Sequence, residues 1–466
     1  MEYYIKRVII NGLFEKDNNY KIDLSEGCNC IFGDNGAGKT TIINLIVNCL
    51  NVELESLAKI AFESITIFLA KAGQVRAAKF LVLHRVASES HRSGYEITYQ
   101  IEESEPHTFV IRSREYSDRI QEKYGEIPEL LKQSILSKIN LTHVPLLRMH
   151  DSEIFGMRDE RDEYLHSALR HKNITQSQIL EIMDPSVRVL NSLQKQFISE
   201  ANETRKTITN KLEVLKSKII EKVMIDESLV KLSSKALNKA TKAIDSDLED
   251  VNVPGYVKKL RDAKINVPEE KIYEHFKTWK KLNDDVKAAY KEMDLERSRA
   301  DSKKINAATV KFNTSYFNLI AMTNFNDRFL SIVEDVESMQ GEKLELTKSF
   351  SDYENEINSY FNSRKSFSLN EDGQFRVRSN NKEIRLSDLS SGEKHILTIL
   401  GRAALSRKDG AIFVADEPEL SLHLDWQRKI LPSIIKLSPK SQVIVATHSP
   451  SIHAAGATEI DLEECR

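Results

Sequence analysis

Apolar positions along the chain fall into two regimes. At both ends they form short runs or alternate with polar residues. Through the middle they recur every three or four positions between charged side chains. Residues 28–32 (Cys-Asn-Cys-Ile-Phe) form an apolar run suited to a buried strand, and residues 40–50 carry apolar side chains at helical spacing. Residues 5–14, 20–24, 75–83 and 95–101 read as antiparallel strands, together a β-subdomain. Residues 367–388 predict a hairpin with Gly373 at its turn. Residues 411–415 and 442–446 are apolar strands that each end in a polar cluster, and residues 458–462 suffice for one last strand.

The middle, roughly 160–365, predicts helices. No proline lies between Pro268 and Pro418, and glycine is nearly absent until Gly373. The runs are Ile208, Leu212, Leu215, Ile219 and Val223, then Ile272, Phe276, Trp279, Leu282 and Val286. Later come Phe325, Phe329, Ile332, Val336 and Met339, and Leu346, Phe350, Tyr353, Ile357 and Phe361. The pattern predicts an antiparallel helical arm broken near Pro254-Gly255 and Pro268. Its heptads are irregular, so a bundle with coiled-coil stretches is expected, not one long rod.

Composition changes the picture little. The 466 residues leave room for two or three domains, and a net charge of −3 gives no global pull towards nucleic acid or membrane. No run approaches 18 apolar residues and the N-terminus lacks signal-peptide form, so a cytoplasmic protein with no membrane partner is expected. Cys28, Cys30 and Cys49 read as core residues. Cys28-x-Cys30 has the wrong spacing for a zinc knuckle, and alternation along the strand is expected to turn the two to opposite faces.

Four segments carry candidate chemistry. Gly33-Asp34-Asn35-Gly36-Ala37-Gly38-Lys39-Thr40 is a P-loop between an apolar strand and a helix. Its backbone N–H groups and helix N-terminus suit phosphate, Lys39 should reach the β- and γ-phosphates, and Thr40 should offer its hydroxyl to Mg²⁺. The nucleotide set comprises Gly33, Asn35, Gly36, Gly38, Lys39, Thr40 and Thr41. About 350 residues later, Leu389-Ser390-Ser391-Gly392-Glu393-Lys394 precedes an apolar run. Alone it could be a capped core helix; as a site, Ser390, Ser391, Gly392 and Glu393 aim a helix N-terminus at an anion. The strand at 411–415 ends in Asp416-Glu417, suited to holding Mg²⁺ through water and to polarising the attacking water respectively. The strand at 442–446 leads to His448, where a γ-phosphate sensor would be wanted.

In this order the motifs resemble the ATP-binding-cassette ATPase head of the RecF- and SMC-like type. The resemblance implies an α/β fold: a P-loop mixed sheet plus an antiparallel β-subdomain, with a long inserted helical or coiled-coil arm. It implies head halves at 1–160 (Walker A) and 366–466, with the arm at 161–365. The second half would carry the signature at Leu389–Glu393, Walker B ending at Asp416 with Glu417 catalytic, the D-loop at Glu419–His423 and the switch His448. The signature departs from the transporter form at Ser391 and Glu393, and residues 141–150, at the Q-loop's place, hold no glutamine. ATP and Mg²⁺ are the implied cofactors. Because the signature caps the γ-phosphate of a second head, the implied partner is a second copy, in a dimer or higher oligomer.

The insert length argues against a transporter motor. Asp416-Glu417-Pro418-Glu419 with Leu422-His423 is similar to the ATPases of bacterial anti-phage systems, of the overcoming-lysogenization-defect and AAA type. The size, head layout and modest arm look most like AriA-type ATPases of PARIS systems, with PtuA-type ATPases of Septu as runner-up. This implies a sensor and scaffold that holds and releases a separate Toprim-type nuclease on meeting a phage trigger protein. The alternative is a DNA-repair or chromosome-maintenance ATPase that clamps DNA. Arm residues Arg205, Lys206, Lys211, Lys216, Lys218, Lys258, Lys259 and Arg261 read either as a DNA face or as a solvated face balanced by nearby acids.

Overall fold

The computed structural model describes residues 3–74, 76–88, 94–112, 123–144, 184–223, 252–263, 265, 267–299, 302–407, 411–452 and 454–466. The chain opens with strands β1 (Tyr3–Asn11), β2 (Tyr20–Asp23) and β3 (Cys28–Phe32) and helices α1 (Lys39–Asn51) and α2 (Leu54–Lys59). Strands β4 (Ser64–Lys71), β5 (Ala77–Ala87), β6 (Gly94–Ile101) and β7 (His107–Arg112), helix α3 (Ile127–Leu136) and strand β8 (Asn140–Val144) follow. The middle holds α4 (Pro185–Val223), α5 (Val253–Asp262), α6 (Glu269–Arg299) and α7 (Ser302–Asn358). The chain closes with β9 (Lys365–Leu369), β10 (Phe375–Ser379), β11 (Lys382–Ile384), α8 (Ser391–Leu405), β12 (Ala411–Asp416), α9 (Leu424–Leu437), β13 (Gln442–Ala446) and β14 (Thr458–Asp461). Two compact units result: Met1–Ala201 with Ser349–Arg466, and Asn202–Lys348.

The first unit is an α/β head. Its parallel and antiparallel strands are sorted into separate sheets. The parallel sheet has the order β14-β3-β13-β12-β8, the antiparallel sheet β2-β1-β4-β5-β6-β7, and a small sheet β11-β10-β9. Strand alternation divides the core. Ile31, Ile412, Val414, Ile444 and Ala446 face α1 and the antiparallel sheet. Phe413, Ala415, Val443 and Val445 face the other way, against α8, α9 and the small sheet. Cys28 and Cys30 both lie on this second side. The opposite-face expectation is therefore corrected: side chains two apart in a strand share a face, and only neighbours alternate. Hydrogen bonding to Cys30 and burial push the Cys28 thiol up.

One buried amide ties the two ends of the chain together. Gln442, fully buried at the start of β13, accepts from Ile5 N at 2.9 Å and donates to Ile5 O at 2.8 Å and Ser25 O at 2.7 Å. It stands where β1 slips register against β4 between Ile5 and Arg7, so it answers backbone groups the ladder would leave unmet. Gln442→Leu should cost the head about 2–4 kcal/mol, because Ile5 keeps a buried donor and acceptor with no partner. Urea denaturation should show a lower midpoint at unchanged slope. An unmoved midpoint would show that water replaces the amide.

The second unit is helical. Leu215, Val257, Leu260, Ile272, Phe276, Val333, Val336 and Met339 form its main core. Asn252 caps α5, its side-chain oxygen accepting from Gly255 N at 3.0 Å, so Pro254-Gly255 opens a helix here. Phe325 departs from its predicted stripe and is 64% exposed. Among the described residues no helix is long and apolar enough to cross a membrane.

Candidate functional site

Parallel strands deliver their following loops to one edge of the sheet, where open α/β folds place ligands. Register aligns Asp416 with Ala446 and Ala446 with Ile31 across β12, β13 and β3. The ladder then runs on by one step: Glu417 N donates to Ala446 O at 2.8 Å, and Thr447 N to Ile31 O at 3.1 Å. The P-loop, the acid pair and the histidine, far apart in sequence, therefore leave the sheet side by side.

The loop before α1 is shaped by glycine. Gly36 and Gly38 hold φ of 89° and 92°, and a β-carbon on Gly38 would lie 3.2 Å from the Phe14 ring. Gly38 caps α1 without any side-chain hydrogen bond, and the first turn carries no acid. The helix thus presents open N–H donors and partial positive charge, the elementary requirement of an anion site. Asn35 and Gly36 are exposed at the loop tip, while Thr40 and Thr41 are half-buried in the first turn.

Lys39 is only 3% exposed. Its Nζ donates to Gly33 O at 2.6 Å, Asp34 O at 3.1 Å and His448 Nδ1 at 2.9 Å. His448 Nε2 lies 3.1 Å from Glu417 Oε1. A charged lysine can only donate, so Nδ1 accepts, the imidazole proton sits on Nε2, and Glu417 receives it. Burial lowers the Lys39 pKa, against the opposing pull of Glu417, Asp416, Asp34 and Glu419. Glu417 itself adopts φ 45°, a left-handed conformation costing a non-glycine residue about 1–3 kcal/mol. Asp416 is 3% exposed beneath the same edge.

The Ser390–Glu393 segment is built differently. Ser390 caps α8 in a capping box: Glu393 N donates to Ser390 Oγ at 3.3 Å and Ser390 N to Glu393 Oε2 at 2.9 Å. Burial would raise the Glu393 carboxyl, but Lys365 Nζ at 2.7 Å and the Ser390 N–H hold it below its usual range. Gly392 sits against the loop after β12, where a β-carbon would lie 3.0 Å from Ser421 O. His395 Nε2 donates to Pro418 O at 3.0 Å, and Lys394 pairs with Asp184 at 2.6 Å. Ser390 and Ser391 are exposed. Among the described residues no hydrogen bond or ion pair joins Ser390–Glu393 to Gly33–Thr41. The fold brings Lys39, Glu417 and His448 into contact and leaves Ser390 and Ser391 of the signature segment facing solvent.

The sequence reading missed one part of the site. Glu419 is buried, and its Oε1 accepts from the Thr447 hydroxyl and, at 3.3 Å, from Ser449 N. The signal was the third acid of Asp416-Glu417-Pro418-Glu419, read as a family mark and as the start of the D-loop, not as a contact. Of the Q-loop's place at residues 141–150, residues 141–144 belong to β8, and 145–150 lie outside the described residues.

The donor set fits a hard divalent cation beside a polyphosphate. Magnesium binds through one or two carboxylates, hydroxyls, waters and phosphate oxygens, and Thr40 with Asp416 offers that chemistry. Among the described residues no cluster of three or more His, Cys, Asp or Glu could cage a metal without such a ligand.

The family described as AAA ATPase domain matches residues 4–453. Among curated proteins, the Escherichia coli protein named retron Ec83 probable ATPase is 37% identical over 87 residues, 16% of this chain and 16% of that protein. The match thus spans about a sixth of the relative's length. Among solved structures, an Smc head domain with an extended coiled coil from Pyrococcus furiosus is 12% identical at TM-score 0.34, over 96% of this chain and 90% of that one. One from Pyrococcus yayanosii is 15% identical at TM-score 0.32, over 96% and 92%.

Proposed function

The chain belongs to the AAA ATPase domain family and is an ATPase of that class; from that premise we propose that it hydrolyses ATP in a site completed by a second copy, as the sensor and scaffold of an anti-phage defence complex. The observation that carries the reading is the contact series Lys39–His448–Glu417 at the mouth of an uncapped helix. In this reading the α1 N–H groups and Lys39 bind the phosphates, and Thr40 and Asp416 hold Mg²⁺. When bound there, Mg²⁺ would supply positive charge against the phosphates. Glu417 accepts a proton from the attacking water. When nucleotide draws the lysine forward, His448 keeps its Nε2–H on Glu417, and its Nδ1, an acceptor while it faces Lys39, takes a proton from solvent to donate to a phosphate oxygen. The exposed Ser390 and Ser391 then cap the nucleotide of the second copy.

The defence role draws on two supports: the retron ATPase relative and the Asp-Glu-Pro-Glu series after β12. The finer reading makes the chain an AriA-type subunit holding a separate Toprim nuclease until a phage protein binds. A DNA clamp is less well supported. Of the basic arm residues, Lys211, Lys216, Lys259 and Arg261 are paired with Glu342, Glu213, Glu337 and Glu269. Such pairing leaves less charge for phosphate contacts. Affinity purification of the tagged chain from its native host should retain a nuclease encoded beside it. If short duplex DNA binds instead, with a steep salt dependence and no nuclease present, the clamp takes its place.

A further inference from the structure

The loops after β12 and β13 are joined by a buried contact that neither the P-loop nor the acid pair explains. Glu419 Oε1 receives the Thr447 hydroxyl and the Ser449 N–H, one residue either side of His448. Ser449 N also reaches Thr447 Oγ1 at 3.0 Å, which closes a small turn around the histidine. The other carboxyl oxygen, Oε2, is buried with no hydrogen-bond partner among the described residues. The side chain therefore acts through Oε1 alone. Its own loop is fixed by neighbours: Leu422 N donates to Glu419 O at 3.0 Å, and His395 of α8 donates to Pro418 O at 3.0 Å.

We propose that Glu419 is a positioning residue that latches the Thr447–Ser449 turn and so sets His448 between Lys39 and Glu417. The proposal rests on the reading of Glu417 and His448 given above. The geometry explains why the latch is needed. Beyond Thr447 N the sheet ladder is finished, and His448 makes its contacts from a loop. Without a fixed turn the imidazole would have to find two partners, 2.9 Å and 3.1 Å away, from many conformations. A misplacement of about 1 Å at such a group can slow turnover about a hundredfold without touching substrate affinity. Burial and the nearby Glu417 raise the Glu419 carboxyl above its usual range, against the pull of the Thr447 and Ser449 hydrogen bonds. The same loop meets Gly392 and His395 of the signature helix, so a shift at α8 would reach His448 through Glu419.

Steady-state hydrolysis by the full chain tests this. Glu419→Ala should lower kcat by about 10–100-fold while KM for ATP changes less than about threefold, the mark of a group that acts on the transition state. Glu419→Gln keeps the Oε1 acceptor and should restore most of the turnover. Thr447→Val removes the donor while keeping side-chain shape, so it should fold even if Glu419→Ala does not, and should show a similar loss. The double variant should be no slower than the worse single one, because both changes break one contact. Wild-type kcat in Glu419→Ala, equal damage from Ala and Gln, or losses that multiply would each overturn the latch. A wild-type chain without ATPase activity, or a Glu417→Gln variant as fast as wild type, would defeat the parent reading and the latch with it. An active wild type with an inactive Glu417→Gln and an unaffected Glu419→Ala would defeat the latch alone.

Discussion

Glu417→Gln should bind ATP as the wild type does and hydrolyse it about 10²–10⁴ times more slowly, the span that a lost general base accounts for. That is about 3–5 kcal/mol at the barrier. The substitution is informative because so little else changes. The amide keeps an oxygen that can accept from His448 Nε2, now 3.1 Å from Oε1. Glutamine tolerates the left-handed φ of 45° as well as glutamate does. What disappears is the ability to take a proton. With hydrolysis stalled and the phosphates still in place, the head-to-head assembly should persist, and ATP should shift the variant to a larger species in light scattering. Turnover equal to wild type would remove Glu417 from the base role. A stalled enzyme that stays monomeric with ATP would leave the base in place and remove the composite site.

Legibility followed the range of the interactions. The P-loop, the acid pair and the capping box are local: their meaning lies in a few consecutive residues and in the apolar strand or helix beside them. The central parallel strands were legible for the same reason, since 28–32, 411–415 and 442–446 are short apolar runs. Strand β4 escaped notice because its less buried face carries Phe68 and Ala70 beside Thr66, so Ser64–Lys71 shows little polar alternation although only Ile65, Ile67 and Leu69 share the fully buried face. The Cys28 and Cys30 assignment failed on strand geometry, not on composition. Glu419 could not be assigned a partner from sequence. Its contact with Thr447 exists because β12 and β13 are parallel neighbours, which sets the loops beyond them side by side. Gln442 is the extreme case: its partner Ile5 is 437 residues away, and no local pattern marks the slip in β1 that it repairs.

Lys39→Ala should raise the Kd for ATP by at least about a hundredfold, close to 3 kcal/mol, the scale of a buried charge pair losing one partner. The ammonium is already desolvated at 3% exposure and held by two loop carbonyls and a histidine, so the protein has met most of its desolvation cost before nucleotide arrives. Moving it from those neutral acceptors to a phosphate gains a charge-assisted bond at little further expense. Removing it has a second effect. Asp416, Glu417 and Glu419 all favour the lysine's charged form, and without that cation the acids would repel an incoming polyphosphate. Lys39→Arg should not rescue binding, because a planar fork cannot take the place of a compact ammonium among three closely spaced acceptors. Calorimetric titration with ATP measures the loss, and the ATP-dependent rise in melting temperature should vanish with it. An unchanged Kd in Lys39→Ala would mean that the α1 N–H groups alone hold the phosphates and that the lysine serves only to order the empty loop.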